Sequence, residues 1–209
     1  MFTISCDKNL PKNSCMDIIE KTLQSEKFFQ KKDLPVLEQI VGLLFSKKLK
    51  KKEILLKEGQ ICKELFYVKK GLLRVYLIID GKEVNTWFVK EGDFITSIGS
   101  FHNQTPSEHN IDALEDSEII TIKKSTLEFI TKNNHKAALF VMNELIIKLC
   151  NYQEITCALR FMNAETRYHY LSNKNKEVFS RLSQKHISSF IGVDVAYLSK
   201  VIKNQALGK

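Results

Sequence analysis

Between Glu53 and Ile122 the chain is a succession of short apolar or alternating runs, and from about Ser125 its period turns helical and stays so. That change of period predicts strands first and helices afterwards, an α+β order rather than alternating βαβ units. The runs are ILL, LFYV, LLRVYLII, VNTWFV, FITSIGSF, IDAL and EIITI. Five of the eight glycines punctuate this region, at 59, 71, 81, 92 and 99. Asp80-Gly81 predicts a two-residue hairpin turn of type I′, whose central residues need positive φ. Many short strands with regular turns predict a sandwich or a barrel.

Ahead of the strands, residues 1–24 are mixed and polar and read as an N-terminal arm. Asp33 followed by Pro35 predicts a helix start, with Leu34, Leu37, Ile40, Val41, Leu44 and Phe45 as its apolar face. The basic cluster Lys47 to Lys52 reads as an edge strand guarded against aggregation by its lysines.

Behind the strands, Ser125 to Ile130 predicts a short helix and about His135 to Met162 a long one. Along the long helix Ala138, Met142, Leu145, Leu149, Tyr152, Thr156 and Leu159 alternate steps of four and three, the seam of a coiled coil. A helix of roughly 40 Å suits a parallel two-helix dimer, packing against the strand region, or both. Asn163-Ala164-Glu165 interrupts the pattern as a hinge. A helix from Thr166 to Leu171 then leads through polar SNKNKE to Leu182–Lys203.

That last stretch predicts two short helices around a tight turn. Ser183 is a natural N-cap, Ile187, Phe190 and Ile191 form an inward stripe, and Gly192 suits a left-handed end. Asp194 caps a second helix with Leu198, Val201 and Ile202 inward. Val195, Ala196, Tyr197, Ser199, Lys200 and Lys203 then face outward. A helix–turn–helix has this layout, with its second helix shaped for a major groove, although two helices around a glycine are also compatible with plain core.

Net charge is +8, from 32 Lys+Arg against 24 Asp+Glu, which favours an anionic partner. From Arg181 onward five basic residues face one acid, Asp194. No apolar run reaches the roughly 18 residues of a membrane span, and the N-terminus lacks a secretory apolar region, so the expected location is cytoplasmic. The cysteines at 6, 15, 62, 150 and 157 form no metal-like spacing, and no metal is expected. Cys150 and Cys157, seven apart, share a helix face. No nucleophile–base constellation and no phosphate-cradling glycine loop is present, so the chain does not read as an enzyme.

In this order a glycine-punctuated strand domain, a long dimer-type helix and a C-terminal helix–turn–helix resemble the Crp/Fnr family of bacterial transcription regulators. The resemblance rests on KEGQICKELFYVKKGLLRVYLIIDGKEVNTWFVKEGDFI, on LEDSEIITI and on ISSFIGVDVAYLSKVI, and spans about Phe28 to Lys203. It implies an α+β fold: an N-terminal double-stranded, jelly-roll-like β-roll with flanking helices, a long dimerisation helix, and a C-terminal truncated winged helix. The implied domains are an arm (1–24), a cyclic-nucleotide-binding-like sensor (25–132), a dimerisation helix and hinge (133–163) and a DNA-binding domain (164–209).

Cyclic-AMP-binding members of the family carry a Gly-Glu pair after GDF, and later an Arg followed by Ser or Thr. The Glu takes the ribose hydroxyl and the Arg takes the cyclic phosphate, a charge-assisted contact that a neutral side chain does not replace. At the matching positions stand Thr96-Ser97 and Ser107-Glu108-His109. Glu108 would set negative charge beside the phosphate, a costly arrangement when buried. Tyr152 and Gln153 match the base-facing positions of the long helix. The resemblance therefore implies a degenerate effector pocket: no cofactor, no cyclic AMP, and either an unknown small molecule or nothing. Cys6, Cys15 and Cys62 do not reproduce the family's iron–sulfur spacing. His102 and His109 are loop histidines of the kind that normally stay solvated.

At the DNA-reading end the family often has Glu and Arg early in the second helix, where this chain has Ala196 and Lys200, with Val195 at another frequent Arg. Lys200 can donate to guanine, Ala196 can touch a thymine methyl, and Tyr197 or Ser199 can reach phosphate or base. Ser183, Gln184 and Lys185 match backbone-contacting positions. The chain stops at Lys209, too soon for the usual wing hairpin, which removes phosphate contacts. The expected protein is a homodimer that binds double-stranded DNA, with RNA polymerase as a further partner. The competing expectation is a ligand-binding or scaffolding module whose helix–turn–helix no longer reads DNA.

Overall fold

The computed structural model describes Gln30, Asp33, Ile40 and residues 42–206. The expected arm over 1–24 and most of the helix expected from Asp33 lie outside the described residues. Contacts divide the chain into two compact units, Met1–Arg74 with Val89–Glu144 and Val75–Phe88 with Leu145–Lys209.

The strands are β1 (Phe45–Leu49), β2 (Ile54–Leu56), β3 (Glu64–Lys70), β4 (Leu73–Ile79), β5 (Lys82–Val89), β6 (Phe94–Ile95), β7 (Asn110–Ala113) and β8 (Ser117–Lys123). They form two four-stranded sheets, in the orders β1-β8-β3-β6 and β2-β7-β4-β5. The two-sheet roll expected from the resemblance is present. A short helix α1 (Ile98–Asn103) stands between β6 and β7, and α2 (Lys124–Asn133) follows β8.

The first sheet lies within the first unit. β8 is its central ladder, antiparallel to β1 from Phe45↔Thr121 to Leu49↔Ser117 and to β3 through Leu65↔Ile122 and Tyr67↔Ile120. Period-2 alternation sends Ile120, Ile122 and Tyr67 into a core completed by Leu44, by Ile130 of α2, and by Ala137 and Phe140 of the following helix. Burying each leucine, isoleucine and phenylalanine among them contributes about 1.5–3 kcal/mol. Phe45, which the sequence placed on a helix face, belongs instead to β1. Phe45 pairs with Thr121, and the five ladder pairs of β1 with β8 outweigh a local helical spacing that two adjacent apolar residues satisfy by chance. β1 ends the sheet order, and Lys47 and Lys48 sit on it as the guarding lysines.

FITSIGSF is not one strand. Only Phe94–Ile95 pairs with β3, and Ile98–Asn103 turns into α1. The Phe101 N–H reaches the Ser97 carbonyl at 2.7 Å, and Ser100 accepts the Cys62 N–H at 2.8 Å, so polar side chains within the run find partners that a strand would not offer. Gly71 has φ of +105°, and a Cβ there would stand 2.6 Å from the Ser117 Cβ. Only glycine fits that turn.

In the second unit β4 and β5 form a hairpin whose central residues have φ of +50° at Asp80 and +73° at Gly81, the type I′ geometry expected. The helices here are the C-terminal part of α3 (His135–Phe161), then α4 (Ala164–Lys174), α5 (Lys176–Arg181), α6 (Gln184–Ile191) and α7 (Val195–Ala206). The break expected at Asn163-Ala164-Glu165 falls at Met162 and Asn163, with Ala164 and Glu165 inside α4, and Asn163 caps α4 by accepting the Thr166 N–H at 2.9 Å. SNKNKE is mostly helical, α4 running to Lys174 and α5 starting at Lys176, because Leu171, Val178 and Phe179 are buried around it. Polar outer faces do not prevent helices whose inner faces pack. Burial also pushes the Tyr168 phenol above its ordinary pKa.

Candidate nucleic-acid interface

The helix–turn–helix is built as its residue types require. Ser183 caps α6, accepting the His186 N–H at 3.3 Å. Gly192 ends it with φ of +71°, and both Gly192 and Val193 donate to the Ser188 carbonyl. Asp194 caps α7 by accepting the Tyr197 N–H at 2.8 Å. Behind these caps Ile187, Phe190, Ile191, Leu198 and Val201 are buried, while Ile202 is half-buried.

The opposite face is open. Val195, Ala196, Tyr197, Lys200 and Lys203 are exposed on α7, and Ser183, Gln184 and Lys185 are exposed at the start of α6. Ser199 is half-buried, and its hydroxyl donates to the Gln184 carboxamide oxygen at 2.6 Å. Two residues expected to contact DNA independently are thus bonded to each other and join the two helices. The face presents lysine ammonium groups, two hydroxyls, a carboxamide and small apolar groups, a mixture suited to phosphates and base edges.

Sequence reading missed Arg167. Its guanidinium donates from Nη1 to the Ile191 carbonyl at the end of α6, and from Nη2 to the Met162 carbonyl at 3.0 Å. A cation on two helix C-terminal carbonyls is favourable in charge as well as in hydrogen bonding. Nothing local in ETRYHY marks that role, because both partners are remote backbone atoms.

In the first unit the positions matched to a nucleotide's ribose and phosphate are occupied by their own bonds. Ser97 and Ser107 are 5% and 3% exposed. The Ser107 hydroxyl lies 2.9 Å from the Ser97 hydroxyl and 2.8 Å from the His109 carbonyl, and accepts the His109 N–H at 3.1 Å. Thr96 donates to the Glu64 carbonyl at 3.0 Å. Glu108, expected to place a carboxylate beside the phosphate, is exposed instead. The matched positions thus hold a hydrogen-bonded serine pair without a cation in it, and not the buried negative charge expected of Glu108. In the second unit the Trp87 and Tyr152 rings stack with centroids 6.3 Å apart and an interplanar angle of 30°, while Gln153 is exposed.

Along α3 the expected seam divides. Met142, Leu145, Leu149 and Tyr152 are 52%, 58%, 66% and 62% exposed, whereas Ala138, Thr156 and Leu159 are half-buried. Ile146, Ile147 and Phe161 add exposed apolar area, and Cys150 and Cys157 are exposed. Large apolar groups open to water on one helix are the usual composition of a surface that meets a partner. Among the described residues no helix is long and apolar enough to cross a membrane, and no group of His, Cys, Asp and Glu could hold a metal ion.

Residues 46–134 match the cyclic nucleotide-binding domain family. The Anaerobic regulatory protein of Pasteurella multocida is 25% identical over 179 residues, which are 79% of this chain and 65% of that protein, so the chain spans about two thirds of its relative's length. FixK2 from Bradyrhizobium japonicum has a similar fold, with a TM-score of 0.68 at 17% identity over 79% of this chain and 86% of that one. A Eubacterium rectale protein assigned to the Crp/Fnr family of transcriptional regulators gives a TM-score of 0.65 at 17% identity, over 83% of this chain and 84% of that one.

Proposed function

We propose that this chain, which has the fold of the Crp/Fnr transcription regulators, is a homodimeric, sequence-specific DNA-binding regulator that needs no cyclic AMP. The observation that carries the reading is the open outer face of α7, with Lys200 and Lys203 exposed behind a buried Leu198 and Val201. In a dimer joined through the exposed side of α3, two such faces would lie about one DNA turn apart, roughly 34 Å. Lys185, Lys200 and Lys203 supply phosphate and guanine donors, and Val195, Ala196 and Tyr197 the apolar contacts.

The roll works in this reading as a degenerate sensor over about 25–132, with the helix and hinge over 133–163 and the DNA-binding part over 164–209. The bonded Ser97–Ser107 pair and the Trp87–Tyr152 stack speak against the family's nucleotide. No cofactor and no catalytic step are assigned, and the location proposed is the cytoplasm.

The test is selection of fragmented genomic DNA by the purified chain, then anisotropy titration of the best fragment over a salt series. A palindromic site bound far above random DNA, with log K falling linearly by about 0.9 per phosphate contact against log salt, is the expected result. Weak binding blind to sequence would instead favour a scaffolding or ligand-binding module.

A further inference from the structure

We infer that β5, through Asn85 to Phe88, is the strut that sets the orientation of the helix–turn–helix, with Ser189 and Asn85 as its positioning residues. The inference rests on the DNA-reading function proposed above.

β5 ends its sheet order among the described residues. A strand in that place leaves backbone donors and acceptors that need partners. The Ser189 hydroxyl of α6 donates to the Glu83 carbonyl at 2.9 Å and accepts the Asn85 N–H at 3.0 Å. One side chain thus makes the two bonds that a residue of a neighbouring strand would make. Asn85 is 4% exposed, and its side-chain Nδ2 donates to the His186 carbonyl at 3.2 Å.

The contact continues along the strand. The Phe88 ring meets the Phe190 ring of α6 edge-on at 5.3 Å, while the Trp87 ring stacks on Tyr152 of α3. A few residues of one strand therefore touch both the exposed helix proposed for dimerisation and the first helix of the reading head. Aromatic contacts tolerate sliding, whereas hydrogen bonds are directional and weaken steeply as they bend. The hydroxyl and the carboxamide consequently supply the orientation. Because Gln184 is bonded to Ser199, an α6 held in this way also holds α7.

A dimer reads two half-sites only when its reading helices keep the spacing of one DNA turn. Loosening the strut should relax the choice of half-site spacing without weakening contact with either half-site.

The experiment compares full-length wild type, Ser189→Ala and Ser189→Thr on the selected operator, on the same operator with one and two inserted base pairs, and on a single half-site. Ser189→Ala is expected to reduce the penalty for an inserted base pair by roughly tenfold, the weight of two net hydrogen bonds of which one is exposed, with half-site affinity unchanged. Ser189→Thr, which keeps the hydroxyl, is expected to restore the wild-type penalty. The idea is overturned if the alanine variant keeps that penalty, or loses single-site affinity in the same proportion. Hydrogen exchange at the Asn85 amide gives a readout free of DNA and should accelerate in Ser189→Ala by a similar factor. If wild type shows no sequence-selective binding, the DNA-reading function fails, and the exchange rate alone decides for or against the strut.

Discussion

The Arg74 guanidinium meets the Asp112 carboxylate as a two-bond fork, Nε to Oδ1 at 2.8 Å and Nη2 to Oδ2 at 2.9 Å. Their side chains are only 7% and 9% exposed, so water does little to solvate either charge if the other is removed. Arg74→Met should therefore destabilise the protein by about 3–5 kcal/mol in urea unfolding. The double variant Arg74→Met/Asp112→Leu should recover most of that loss. Equal destabilisation by the single and double variants would mean that the pair is not the source.

Gly71 and Gly59 both have positive φ, but only Gly71 has a neighbour where a Cβ would stand. Gly59→Ala should cost about 1–2 kcal/mol, the left-handed penalty alone. Gly71→Ala should cost a further 1–3 kcal/mol or so from overpacking against Ser117. Thermal unfolding of the two variants side by side measures the difference.

The Lys51 backbone N–H, and after it the Lys50 ammonium, hold the exposed Asp116 carboxyl below its ordinary pKa. A depressed carboxylate adds stability above its unfolded pKa and loses it as pH falls through the folded value. The Asp116 contribution should thus be full at neutral pH and fade in acid, as pH falls from the ordinary carboxylate pKa through the depressed one. Asp116→Asn should flatten that part of the stability–pH curve, and an unaltered acid limb would count against the assignment.

Leu145 and Leu149 are more than half exposed on α3. In the proposed homodimer they would be covered, and Leu145→Asp/Leu149→Asp should give a monomer by analytical ultracentrifugation with its helical circular dichroism intact. Loss of helicity together with the dimer would point to a packing role within one chain.

Trp87 is the chain's single tryptophan, stacked on Tyr152, and so reports on the nucleotide reading. Calorimetric titration with cyclic AMP should show no heat of binding, and Trp87 fluorescence should not respond to it. Tyr152→Ala should shift the emission to the red, because one face of the indole is opened to water.

Much of this protein was legible along the chain because the signals are local. Asp80-Gly81 demands positive φ at adjacent residues, and the hairpin has it. Ser183, Gly192 and Asp194 are cap residues whose bonding partners lie within five positions, and each takes the expected place. The strand-then-helix order follows from a change of period that needs no knowledge of partners.

The departures lie where partners are remote. Phe45 left its helix pattern for β1 because Thr121, far along the chain, offers it a ladder. SNKNKE became helical because Leu171 and Phe179 find a core. Arg167, Ser189 and Asn85 carried no mark in the sequence, since their bonds run to backbone atoms at Ile191, Glu83 and His186. Caps, turns and periodicity are written in neighbouring residues, so the chain alone settles the Asp80-Gly81 turn and the caps of α6 and α7. Which helix is bolted to which strand depends on carbonyls and amides that every residue carries alike, and folding in three dimensions chose among them.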